Sequence, residues 1–500
     1  MEIADKWPVI TMFSIYVAGM MVIGWIGYRA TRDFSDFVLG GRKLGAFVVA
    51  LAAGASDMSG WLLMGLPGAI YLSGLSESWI AIGLLLGAYL NWKFVALRLR
   101  IYTEKSGNAL TLPDFFANRF NDPGNVLRVV SALVILIFFT LYAASGIVAG
   151  ARLFESMFNM PYTTALWLGA FCTVAYVFIG GFLAVSWTDT IQASLMFTAL
   201  VLAPLMIIYN MGGIGPSLMV IENWSPSHLD IFNNMTTIGV VSMLAWGLGY
   251  FGQPHILVRF MAADSPRSIP SARRIGMTWM FMCLLGAVAV GILGAGYFHV
   301  NPQNAAGVNQ NAERVFIEAA IYLFNPWVVG ALLAAILAAV MSTLSAQLLV
   351  CSSSLTQDLY AVFIRRNASQ GERVWFGRAM VLMVSLVAIA LAWDPNSRVL
   401  GMVSYAWAGF GAAFGPVVLL SLFWSRMTRQ GALVGMVVGA ATVLVWKQYG
   451  WFGLYEIVPG FALCTIAAVV VSGLTPSQDR GVSETFDEVH SEVLALRKAR

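Results

Sequence analysis

An aspartate stands inside an apolar run, in Ala52-Ala53-Gly54-Ala55-Ser56-Asp57-Met58-Ser59-Gly60-Trp61. An ionised carboxylate in the middle of a membrane-spanning helix costs about 2.5–3.5 kcal/mol on insertion scales, so it is kept where it faces a polar cavity or binds something. Gly54 and Gly60 weaken the helix around it, at about 1 kcal/mol each relative to alanine. Successive helical residues are rotated by about 100°, so a regular helix cannot point Ser56, Asp57 and Ser59 at one narrow stripe. Unwinding between Gly54 and Gly60 would free backbone carbonyls as cation ligands and offer a half-helix N-terminus to an anionic group. A small-residue packing helix with a buried Asp–Ser hydrogen bond is the competing reading.

A second interruption is written in Trp246-Gly247-Leu248-Gly249-Tyr250-Phe251-Gly252-Gln253-Pro254-His255. Pro254 removes a backbone donor and the glycines loosen the turn before it, although a plain Gly/Pro kink would look alike. A third polar cluster, Ser342, Thr343 and Ser345, is expected near the end of its span, with Ser342 and Ser345 three residues apart on one helical face. These hydroxyls could bond back to their own helix. With the carbonyl of Ala339 they could instead complete an oxygen cage for a small hard cation. Asp189 and Glu77 read as acids at helix starts, with a place for Asp189 in an ion path as the minority reading, and Arg42 reads as a topology determinant. His255 stands alone and receives no proton-relay role.

No nucleotide-binding loop, metal-spaced Cys/His cluster or nucleophile–base pair accompanies these residues, so enzyme chemistry and an organic cofactor are not expected. Cys172, Cys283, Cys351 and Cys464 are widely separated in apolar sequence and read as small buried hydrophobes. Transport would then draw on an ion gradient. One charge moving down 100 mV yields about 2.3 kcal/mol, enough for roughly fifty-fold accumulation of a neutral or zwitterionic solute.

The elements that must position these groups are membrane helices. The chain is 59% hydrophobic and only 11% charged, against about 25% charged in soluble domains. Apolar windows fall near 9–28, 44–71, 77–97, 129–150, 162–184, 188–210, 236–257, 275–298, 326–350, 376–393, 399–424, 431–447 and 451–473, giving thirteen spans. The interruptions lie in spans 2 and 7. Two interrupted helices five spans apart point to inverted repeats with the site between them. The repeats would be spans 2–6 (about 44–210) and 7–11 (about 236–424). An odd span number puts the termini on opposite sides. With the N-terminus outside, every one of the 29 lysines and arginines except Lys6, Arg152, Arg314, Arg398 and Lys447 falls on the cytoplasmic side. Residues 1–473 form one transmembrane domain, and 474–500 are a cytoplasmic tail expected to be poorly ordered. The outer segment 299–325 has room for a short lid helix.

These sequences resemble the sodium:solute symporter family over about residues 8–473. The resemblance is carried by Ala52 to Gly65, by Phe178-Ile179-Gly180-Gly181-Phe182-Leu183-Ala184-Val185-Ser186, by Trp246 to His255, and by Met427-Thr428-Arg429-Gln430-Gly431-Ala432. It implies an all-α polytopic membrane protein of thirteen helices with a leucine-transporter-type inverted repeat. It implies uptake of L-proline driven by Na⁺ across a bacterial inner membrane. Na⁺ would be held by carbonyls of Ala55, Met58 and Ala339 and hydroxyls of Ser342 and Thr343, with Asp57 essential by ligation or local charge. Proline would sit against Ser59, Gly60, Trp61, Tyr142, Trp246, Tyr250 and Pro254. Some relatives build a second ion site from span 9 hydroxyls and the acid at Asp189. Here position 346 is alanine, so Asp189 and Ser345 form an incomplete set and one Na⁺ per proline is expected. The implied partners are Na⁺, L-proline and the lipid bilayer, with no nucleic acid and no obligatory protein partner. A same-fold Na⁺ symporter for another amino acid, a carboxylate or a sugar is the alternative. A membrane sensor is more remote, since the tail is too short for an effector domain.

Overall fold

A computed structural model describes residues 6–31, 33–158, 160–476 and 480–498. The side chain of Lys6, together with Arg32, the side chain of Arg480, and Arg500 from the basic-residue bias, lies outside the described residues. The regular elements of the described chain are all helices, apart from a single bridge between Leu44 and Ala263. Among the described residues ten helices are long and apolar enough to cross a membrane, and Ala46–Asp57, Tyr162–Phe178 and Thr237–Gly252 are shorter apolar helices. Pro326–Ser353 and Val399–Phe423 are buried along most of their length, whereas the first helix and the last two apolar helices are mostly turned outward. The buried pair is rich in alanine, glycine and serine, which lets neighbouring backbones approach closely.

Both sequence interruptions break the helix. Ala46–Asp57 stops where Met58 leaves helical geometry (φ −84°, ψ 83°), and the chain restarts through Gly60 into a wide turn, Trp61–Gly65, and then Leu66–Ser73. Span 7 begins as Thr237–Leu244, tightens into a 3-10 turn over Ala245–Gly252, and turns extended at Gln253 (φ −82°, ψ 106°). It restarts at Pro254, whose missing N–H is harmless in a first helical turn. A third bend separates spans 5 and 6. Gly181 adopts φ 63° and ψ −165° inside Tyr162–Asn210, a conformation that a residue with a Cβ would not hold without strain.

Three expectations are corrected. Ser342, Thr343 and Ser345 lie mid-helix, because Pro326–Ser353 continues into the wider turns of Ser354–Ile364. Arg42 does more than mark topology. Its guanidinium donates to the carbonyls of Met261 (2.5 Å) and Ala109 (2.8 Å) and to Asn108 Oδ1 (2.9 Å), tying three segments together. The described part of the tail is a helix, Arg480–Lys498, with Phe486, Val489 and Val493 buried. It lies along Ala96–Lys105, where Phe486 meets Tyr102 edge-on at 6.3 Å and Lys105 pairs with Glu488 (3.5 Å) and Glu492 (3.2 Å). Its spacing of apolar residues gives one helical face, which the charged composition masked. The segment 299–325 does carry short helices, Ala306–Gln310 and Val315–Leu323.

Candidate ion and substrate site

The break in span 2 leaves its own carbonyls free. In a continuous helix the amide of Ser59 would bond to the carbonyl of Ala55, four residues back. It bonds instead to the carbonyl of Asp57 at 3.0 Å. Span 9 fills the gap: Ser342 Oγ donates to the Ala55 carbonyl at 2.7 Å and Thr343 Oγ1 approaches it at 3.3 Å. Ser342 Oγ also lies 3.0 Å from the carbonyl of Ala339. Ala55, Ala339, Ser342 and Thr343 thus gather into one buried oxygen cluster. Met58 is less engaged. Its amide closes the helix on Gly54 at 3.0 Å, and neither hydroxyl donates to it. Ser345 bonds back to the carbonyl of Ser342 at 2.9 Å.

Asp57 turns the other way. Its Oδ2 accepts a hydrogen bond from the Tyr250 hydroxyl of the second broken span. Its Oδ1 is buried with no hydrogen-bond partner. The Asp57 carbonyl collects Trp61 Nε1 at 3.2 Å and the Tyr142 hydroxyl at 3.4 Å. Ser59 Oγ accepts from the restarting amide of Trp61 at 3.4 Å. Gly60 lies so close to span 4 that a Cβ there would come within 2.7 Å of Ala149 Cβ. Asp57, Ser59, Gly60, Trp61, Tyr142 and Tyr250 therefore converge. Pro254 and Trp246 stand at the edge of this set. Pro254 lines a narrow crevice with Ile135, Val258, Arg259 and Ala346. Trp246 shares no hydrogen bond with Asp57; its ring stacks on Tyr455 with centroids 5.5 Å apart.

Four further residues hold the second break, and sequence reasoning passed over them. Trp407 Nε1 donates to the Trp246 carbonyl at 2.7 Å, and its ring meets Tyr250 edge-on at 5.1 Å. Gln253 Nε2 returns a bond to the Trp407 carbonyl at 3.3 Å. Asn91 Nδ2 holds the Tyr250 carbonyl at 3.0 Å, and Tyr455 supports Trp246. Gly249 is the one signal for Trp407: the indole occupies the space a Cβ would need.

Asp189 is not a helix-start acid. It lies well inside the helix that resumes after Gly181 and is fully buried. Arg259 Nη2 pairs with its Oδ2 at 2.8 Å, while Arg259 Nη1 donates to Ser186 Oγ at 2.6 Å. Arg259, grouped by the sequence with cytoplasmic surface charges, is thus an interior counter-ion; Asp189 Oδ1 and Arg259 Nε remain without hydrogen-bond partners. No hydrogen bond joins Asp189 to Ser345 directly; Tyr176 lies between them, its hydroxyl reaching the Met341 carbonyl at 3.2 Å. Among the described residues no group of three or more His, Cys, Asp or Glu side chains could hold a metal ion.

An oxygen cluster on one broken helix and an aromatic chamber on the other are the parts from which membrane carriers with discontinuous helices are built. A Na⁺-coupled sialic acid symporter has the same fold, with a TM-score of 0.82 at 17% identity over 95% of this chain and 100% of that one. A nucleobase–cation symporter in a closed conformation is more distant, at a TM-score of 0.55 and 13% identity over 90% and 98% of the two chains. The profile of the sodium:solute symporter family matches residues 37–439, and the chain belongs to that family. It is 64% identical to the sodium/proline symporter of Escherichia coli (strain K12) over 481 residues, 96% of each protein. It is 52% identical to the high-affinity proline transporter PutP of Bacillus subtilis (strain 168), over 94% of this chain and 98% of that protein. The osmoregulated proline transporter OpuE of the same organism is 50% identical, over 93% and 95%.

Proposed function

We propose that this protein couples inward movement of Na⁺ to uptake of L-proline by alternating access, with one Na⁺ per proline. The name of its 64%-identical relative supports the solute and the ion, and that of the 52%-identical relative supports the solute. The observation that carries the mechanism is the division of labour at the break in span 2. The Ala55 carbonyl faces the span 9 hydroxyls at 2.7 and 3.3 Å, while Asp57 faces Tyr250 and Tyr142.

In this reading Na⁺ enters the cluster of Ala55, Ala339, Ser342 and Thr343, with Met58 adding its carbonyl. The oxygen separations are hydrogen-bond distances, so cation binding rotates the hydroxyl protons outward and presents lone pairs instead. Hard cations favour such oxygen sets. Asp57 contributes its charge two residues from the Ala55 ligand. A buried carboxylate with one unpartnered oxygen needs a compensating positive charge, which the ion supplies. Proline then binds against Ser59, Gly60, Trp61, Tyr142, Trp246, Tyr250 and Pro254. Its carboxylate takes the donors at the restart of span 2, and its apolar ring takes the aromatic wall. Asp189, neutralised by Arg259 in this conformation, and Ser345 are left for the path of the ion rather than for a second bound Na⁺.

The same reading sets the architecture. The ten long helices count as thirteen crossings once Trp61–Lys105 is divided near Gly74 and the three shorter apolar helices complete spans 2, 5 and 7. Spans 2–6 and 7–11 form the leucine-transporter-type inverted repeats within one domain, residues 1–473. The N-terminus lies outside and the C-terminal helix in the cytoplasm of a bacterial inner membrane.

Uptake of radiolabelled proline into reconstituted vesicles under an imposed Na⁺ gradient tests this reading. Accumulation should require the gradient and be competed by unlabelled proline. Uptake indifferent to Na⁺, or competed equally by an unrelated sugar or carboxylate, would overturn it.

A further inference from the structure

On the face that carries the C-terminal helix, a groove of about 170 Å³ opens between the end of the third span and the start of Ile269–Val300. Its lining is Trp92, Lys93, Phe94, Leu97, Ile269, Pro270, Arg273 and Arg497, three cations and no acid. None of the three forms an ion pair with a described residue. Lys93 and Arg273 are drawn to the same ring, Tyr89, at 5.6 and 5.8 Å from its centroid. Arg497 arrives on the docked C-terminal helix, close enough to Arg98 to feel its charge. Like charges gathered without a counter-ion repel each other and favour an anion between them. The apolar walls are equally telling. Leu86, Tyr89, Leu90 and Phe94 are exposed on the same helical stretch, a surface that faces lipid tails and runs into the groove.

We propose that this groove binds the phosphate headgroup of an anionic membrane phospholipid, with Lys93, Arg273 and Arg497 as its ligands and the acyl chains lying along the Leu86–Phe94 face. Arginine grips phosphate through paired N–H donors, and lysine adds a point charge. Basic pockets between spans at the membrane surface suit this headgroup chemistry. One ligand comes from the third span, one from the eighth and one from the C-terminal helix. The lipid therefore fastens that helix to the transmembrane body. The inference does not depend on which solute is carried.

The test is lipid binding by native mass spectrometry on the purified full-length protein, titrated with cardiolipin, phosphatidylglycerol or phosphatidylcholine. The anionic lipids should bind more tightly than phosphatidylcholine. The triple variant K93Q/R273Q/R497Q should weaken anionic-lipid binding about a hundredfold. The charge-preserving variant K93R/R273K/R497K should retain most of it. R274Q/R366Q/R426Q, which removes equal charge from outside the groove, should bind as the parent does. Equal binding by the groove triple, equal loss in the control triple, or full displacement of the lipid by millimolar inorganic phosphate would overturn the proposal.

Discussion

The two broken helices solve the same problem in different ways. Span 2 breaks abruptly over Met58 and Ser59, and its freed groups become ligands: a carbonyl for span 9, a carbonyl and a carboxylate for the aromatic chamber. Span 7 breaks gradually, through an eight-residue 3-10 turn, and two of its carbonyls are held by protein side chains. Trp407 takes Trp246, Asn91 takes Tyr250, and Gln253 ties the turn back to Trp407. The first break is thus chemically open and the second is propped by its neighbours. A carbonyl already satisfied by a packed indole is a poor ligand for an ion, which supports the proposal that Na⁺ binds at the first break and that the second serves shape recognition.

Substitutions can break this contrast at either end, and the largest effect is expected at Asp57. Asp57→Ala removes the charge and its bond to Tyr250. It should raise the Na⁺ needed for half-maximal proline uptake by about ten- to a hundredfold, the range for losing a charged hydrogen bond, while membrane insertion stays intact. Unchanged Na⁺ dependence would detach the carboxylate from the ion. Ser342→Ala comes next. It removes one oxygen ligand and should raise the Na⁺ requirement about five- to tenfold, with a smaller change in proline KM measured at saturating Na⁺. Trp407→Phe keeps the ring and deletes the bond to Trp246. Proline KM should rise about fivefold while the Na⁺ requirement at saturating proline stays within about twofold. A Na⁺ effect larger than the proline effect would erase the distinction between the two breaks.

The smallest effect concerns the segment joining them. Glu313 packs on Gly68 in the second half of span 2, and its carboxylate accepts from the amides of Val399 and Leu400 at 3.4 Å, at the start of the helix that carries Trp407. Burial pushes its carboxyl above the ordinary carboxylate range, more than those two amides pull it back. A raised carboxyl favours the protonated form in the folded protein. Its stabilising share is therefore complete below the usual glutamate pKa and lost as pH rises through the raised value. Glu313→Gln should flatten that dependence and raise the melting temperature by a few degrees at neutral pH, read by thermal unfolding from pH 4 to 8. A steeper dependence in the variant would mean that the charged form is the one the fold prefers.

Both breaks were legible in the residues because glycine, proline and an intramembrane acid act locally. So was the hydroxyl cluster, although its place in the middle of a longer helix was not. Trp407 and Tyr455 were hidden because an indole in an apolar run looks like any core residue until its N–H finds the Trp246 carbonyl, 161 positions away. The Asp189–Arg259 pair was missed for a related reason. Each charge read alone belonged at a membrane surface, and only packing of the two spans makes their burial tolerable. The C-terminal helix did carry its signal in Phe486, Val489 and Val493, under a strongly charged composition.

The central claim is that ion and solute meet on adjacent residues of one unwound turn. Linkage makes this measurable, since each ligand must strengthen the other's binding by the same factor. Equilibrium proline binding to the purified protein across a Na⁺ series, matched by Na⁺ half-saturation across a proline series, should give equal factors. Both factors should collapse together in a Ser342→Ala/Thr343→Ala variant. A proline affinity independent of Na⁺ in the parent, or coupling that survives in that variant, would contradict the account.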